Sequence, residues 1–124
     1  MADLRKVKLK ENKKIENWNS VDFSFYIKRM NIKFYKKIGN EFLMPIMVIA
    51  SKIKVLLFSR FFNLGKSKKN IREYLLWFYE NKSRNFNEPP EIYILASYNF
   101  IYEWLKNKNQ KADLSGGYSG LRKF

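Results

Sequence analysis

Apolar residues recur at helical spacing in four places along this chain. The densest stretch runs from Pro45 to Phe62, P-I-M-V-I-A-S-K-I-K-V-L-L-F-S-R-F-F. Ile46, Ile49, Ile53, Leu56 and Arg60 mark one face of a helix, and Met47, Val48, Val55 and Phe58 fill others. That pattern predicts a central helix with Pro45 in its first turn. A pair of strands competes, because Lys52-Ile53-Lys54-Val55 alternates and Ile and Val favour sheets. Length, and the lack of Gly or Pro inside, favour the helix.

Upstream, Phe23, Ile27, Met30, Phe34 and Ile38 share one face. Asn19 or Ser20 can cap this helix, Asp22 suits its positive end, and Gly39 is a natural stop. Trp18, just before the cap, is placed to fold back as a hydrophobic staple. Phe25, Tyr26, Ile32 and Tyr35 widen the apolar surface, which predicts burial on more than one side or a partner.

Downstream, Asn63-Leu64-Gly65 reads as a turn. Ser67 or Asn70 can cap a third helix, in which Ile71, Leu75 and Phe78 face inward and Tyr74, Trp77 and Tyr79 add bulk. Residues 81–91 read as a loop ending at Pro89-Pro90, before a fourth helix with Ile94, Tyr98, Ile101 and Leu105 on one side. The expected fold is all-α: a compact bundle of about four helices, in which 45–62 and 67–80 form a helix-turn-helix-like pair. The expected division is a flexible basic arm over 1–16, one helical domain over 17–106, and a flexible Gly-containing tail over 107–124.

Charge changes the picture most. Lys and Arg number 25 against 11 Asp and Glu, a formal net charge of +14 over 124 residues. Such an excess repels itself, and a polyanion relieves the repulsion. A compositional bias toward Lys, Asn, Ile and Phe is the bland alternative, but it should raise Glu along with Lys, and Glu has not kept pace. The aromatic share of 18% argues against global disorder.

Absences narrow the chemistry. With no Cys and no His, thiol chemistry, Cys/His zinc sites, His general bases and Ser-His triads are excluded. The acids are scattered singly, and Glu88 and Glu91 flank the two prolines as helix-start charges. Gly65-Lys66-Ser67 matches the end of a phosphate-binding loop, yet no Gly stands five residues before Gly65. The expectation is a protein that is not an enzyme and holds no metal or cofactor. The N-terminus lacks the apolar core of a secretion signal, and the longest uncharged run of the central stretch, Phe42 to Ser51, is too short to span a bilayer. The expected location is the cytoplasm, or a host cytoplasm if a virus encodes the chain.

The candidate site is the start of the third helix, where Lys66, Ser67, Lys68, Lys69, Asn70 and Arg72 follow the glycine turn. Free backbone amides and the helix dipole attract phosphate there, and Asn70 and Arg72 can in principle read bases. Lysines are unfavourable at a helix N-terminus unless an anion is present, so their placement hints at function. Lys82 and Arg84 in the loop, and Arg5, Lys6, Lys8 and Lys10 in the arm, are further phosphate contacts. The expected partner is nucleic acid, DNA before RNA. The expected role is that of an accessory protein in the style of a phage or mobile element, regulating transcription or replication. The alternative is an adaptor that docks on a polymerase or helicase through Trp18, Tyr118, Leu121 and Phe124. Peripheral membrane binding through the first helix is disfavoured, and a homo-oligomer is compatible with either reading.

Overall fold

A computed structural model describes residues 13–116, and side chains over 13–109. The described chain is all-helical. Arg5, Lys6, Lys8 and Lys10, expected to contact phosphates, and Tyr118, Leu121 and Phe124, expected to dock on a partner, lie outside the described residues.

The first long helix, α1, spans Ser20–Tyr35. Asn19 and Asp22 close a capping box over its start: Asn19 Oδ1 accepts from the Asp22 amide at 3.0 Å, and Asp22 Oδ2 accepts from the Asn19 amide at 2.9 Å. Trp18 packs against Phe23 across the cap, ring centroids 5.1 Å apart, as a staple should. The helix stops at Lys36, which adopts the left-handed conformation at φ 59°, ahead of the expected stop at Gly39. Gly39 serves a different purpose. Its φ is 99°, and a Cβ there would stand 3.0 Å from Pro89 Cβ, so it lets the 81–91 loop close on α1.

After a short 3-10 turn at Asn40–Leu43 comes the central stretch. It is helical, as expected, but in three parts: α2 (Ile46–Lys52), a π-helical segment (Ile53–Phe58) and α3 (Ser59–Asn63). The winding explains the seam. Ile49, Ile53, Leu57 and Phe61 are all fully buried at a spacing of four. In an α-helix a step of four overshoots the turn by about 0.4 residue. The wider π turn absorbs that drift and keeps the seam pointed inward. Leu56 is consequently only half-buried, and Met47 and Val55 stand 70% and 65% exposed.

The chain then turns at Leu64-Gly65. The Gly65 amide bonds the Phe62 carbonyl and the Lys66 amide bonds the Phe61 carbonyl, with Gly65 at φ 73°. This is the Schellman ending that needs a residue free to go left-handed. Helix α4 (Lys68–Lys82) follows and buries Ile71, Tyr74, Leu75, Phe78 and Tyr79. A 3-10 turn at Ser83–Asn85 leads to α5 (Ile92–Leu95) and then α6 (Tyr98–Gly116).

The last helical stretch also differs from expectation. The fourth helix is broken at Ala96-Ser97, so that Ile92, Leu95, Ala96, Ile101 and Trp104 face the core and Tyr98 does not. The carbonyls freed at the break are taken by tertiary donors: Tyr74 Oη bonds Leu95 O at 2.5 Å and Arg60 Nη1 bonds Ala96 O at 2.7 Å. Helix α6 also runs on to Gly116, past the expected domain end at 106, because nothing between Asn107 and Asp113 breaks a helix. Lys108 steadies that extension by pairing with Glu73 on α4 at 3.3 Å and lying over the Trp104 ring. At the other end the Lys13 amine pairs with Asp22 at 3.0 Å and its carbonyl accepts the Trp18 indole N–H.

In the bundle α1 packs against both α2 and α4, α4 against α6, and the π segment against α5. Burial of α1 on two sides accounts for its broad apolar surface. Buried polar groups are paired: Tyr79 Oη donates to Asn31 Oδ1 at 2.6 Å, and Asn31 Nδ2 donates to Ile38 O at 2.7 Å. Among the described residues no helix is long and apolar enough to cross a membrane.

Candidate nucleic-acid interface

The start of α4 is held rigidly. Ser67 is the N-cap, and Asn70 completes a capping box with it. Ser67 Oγ accepts the Asn70 amide at 3.3 Å, and Asn70 Oδ1 accepts the Ser67 amide at 3.0 Å. Asn70 Nδ2 reaches on to Glu73 Oε1 at 3.3 Å. Both side chains are therefore engaged in ordering the helix start, and the amide of Asn70 is not presented for bidentate contact with a base. The reason is geometric: a side chain three residues past the cap bends back to the cap amide.

The cations at this end remain at the surface. Lys69 and Arg72 are exposed, and Lys66 and Lys68 are half-buried. The first turn of α4 carries no acid. Other lysines have carboxylate partners: Lys37 bonds Glu88 at 2.7 Å, Lys52 bonds Glu41 at 2.8 Å, and Lys82 pairs with Glu103. None of Lys66, Lys68, Lys69 and Arg72 makes an ion pair among the described residues. Lys68 lies over the Phe58 ring and Arg72 over the Trp18 ring, at 5.7 and 5.6 Å.

Comparison with family models, curated proteins and solved structures finds no match to this chain.

Two expected contacts take other places. Lys82 tethers α4 to α6 through Glu103 and lies over Trp77, so it belongs to the helix seam. Trp18 is 4% exposed and sits in the core beside Phe23 and Tyr26, so it is no free hook for a partner. Arg84 is exposed in the turn after α4. The apolar side of α1 offered to a membrane, Phe23, Ile27 and Met30, is buried against the bundle.

A feature the linear pattern did not reveal is the sidedness of α4. Toward α1, a cleft of about 320 Å³ is lined, among the described residues, by Trp18, Tyr26, Arg29, Met30, Lys33 and Arg72. Toward α6, a second cleft includes Glu73, Glu80, Trp77, Trp104 and Lys108. Burial pushes the Tyr26 hydroxyl above its ordinary value of 10.0, while the guanidiniums of Arg72 and Arg29 pull against it and Glu80 acts with the burial. Tyr26, Arg29 and Lys33 stand three to four residues apart on α1, a spacing that could have flagged a shared face.

Proposed function

We propose that this chain is a non-enzymatic nucleic-acid-binding accessory protein, with DNA preferred to RNA, that holds phosphates at the start of α4. One observation carries the reading. Lys66, Lys68, Lys69 and Arg72 cluster at a helix N-terminus with no acid in its first turn and no carboxylate partner among the described residues. Free amides, the helix dipole and fixed charge add there in the same sense. The exposed face of α4 then turns to Glu73, Leu76 and Glu80, which supports contact at the helix tip over contact along its length. A role in phage or mobile-element transcription or replication fits a small basic protein of this kind.

The test is a gel shift with double-stranded DNA, single-stranded DNA and RNA side by side. Exchanging Lys66, Lys68 and Lys69 together for Glu is expected to abolish the shift while circular dichroism stays helical. An unchanged shift in that variant removes the site.

A second reading, an adaptor on a polymerase or helicase, is favoured by the exposed apolar groove around Met47, Val48 and Val55. Serine at Met47 and Val55 would then lose the protein partner and keep nucleic-acid affinity.

A further inference from the structure

The cleft between α1 and α4 adjoins the proposed phosphate site. Lys68 and Arg72 are one turn apart on α4, and Arg72 lines the cleft. Its walls combine two chemistries. Half-buried Tyr26 supplies aromatic surface, backed by the buried Trp18 ring 5.7 Å away and by buried Met30. Arg72 and Lys33 supply charge, and neither makes an ion pair among the described residues. The Arg72 guanidinium lies over the Trp18 ring at 5.6 Å and hydrogen-bonds the Tyr26 hydroxyl, and the residue as a whole is exposed.

Volume and access narrow the ligand. A cavity of about 320 Å³ is at the small end of ligand sites and has room for one nucleotide. A paired base hides its faces inside the stack, whereas an unpaired base offers them to aromatic and guanidinium planes. We infer that the Trp18–Tyr26–Lys33–Arg72 cleft receives one unpaired nucleotide of a single-stranded nucleic acid, its base against Tyr26 and Arg72 and its phosphate on Lys33. This rests on the function proposed above and makes it more specific. The strand crosses the tip of α4, where Lys68 and Lys69 hold its backbone, and inserts a base beside Arg72.

Fluorescence anisotropy on the full chain tests this with four probes. They are a short single DNA strand, the same sequence as RNA, the blunt DNA duplex, and the DNA strand carrying abasic sites. The intact single strands are expected to bind roughly ten-fold tighter than the duplex and the abasic strand, the scale of one stacked base. Lys33→Glu alters an exposed residue and is expected to weaken single-strand binding by roughly ten-fold with little change for the duplex. Equal affinity for intact and abasic strands overturns the inference, as does a Lys33→Glu protein that binds single strands normally. In both cases loss of binding in the Lys66, Lys68, Lys69 triple variant would leave the helix-tip reading standing. Displacement of the strand by free mononucleotide at comparable concentration assigns the cleft to a soluble nucleotide and also overturns it. No binding to any probe overturns both readings.

Discussion

At the scale of single residues, the fold depends on a few buried hydroxyls. Tyr79 is fully buried and bonds Asn31, which is itself fully buried. Tyr79→Phe leaves the Asn31 oxygen without its donor and should destabilise the protein by about 1–3 kcal/mol in urea unfolding. Burial pushes the hydroxyls of Tyr74 and Tyr79 well above the ordinary 10.0. The folded chain thus keeps protons that the unfolded chain releases near pH 10. Their stabilising effect is full below pH 10 and is lost as pH rises beyond it, by about 1.4 kcal/mol per pH unit for each tyrosine. Tyr79→Phe should therefore show a shallower loss of stability above pH 10 than the parent chain. Lysine titration is common to both proteins, so the difference between the two curves isolates Tyr79. The Asn31–Tyr79 pair was hidden in the sequence, because partners 48 residues apart leave no local spacing to read.

At the scale of elements, local signals were legible where local bonds decide the structure. The capping box at Asn19, the staple at Trp18 and the Gly65 turn follow from neighbours within a few residues. The glycine turns differ in a way that mutation can read. Gly65→Ala meets no atom within 4 Å and carries only the left-handed strain, so it should lower stability by about 1 kcal/mol. Gly39→Ala adds a 3.0 Å contact with Pro89 and should cost clearly more when the two variants are compared in urea unfolding. What the sequence concealed was set by tertiary partners. The break at Ala96-Ser97 has no Gly or Pro to announce it; it exists where Tyr74 and Arg60 can take the freed carbonyls. The π winding of Ile53–Phe58 is likewise visible only as a seam of step four, which a search at helical period reads as drift. Glu41 looks like one more scattered acid, yet it accepts the Ile92 amide at 2.6 Å and the Lys52 amine at 2.8 Å, joining three elements.

At the scale of the whole molecule, excess positive charge is useful only if it is arranged. Pairing of Lys13, Lys37, Lys52, Lys82 and Lys108 with carboxylates removes those lysines from the field that a ligand meets. Lys33, Lys66, Lys68, Lys69 and Arg72 make no ion pair among the described residues, and Glu73 pairs with Lys108 toward the other cleft. Charge count suggested a polyanion, and the lysine cluster at the start of α4 was legible from the glycine turn and the run after it. The cleft was not, since Trp18, Lys33 and Arg72 meet only through packing of α1 on α4. The most direct measurement is the slope of log affinity for DNA against log salt in the parent chain and in the Lys66, Lys68, Lys69 triple glutamate variant. Each phosphate held contributes about 0.7–0.9 to that slope. The account predicts a steep parent slope and loss of about two units or more, with most of the affinity, in the variant. Identical slopes and affinities in the two proteins would contradict it.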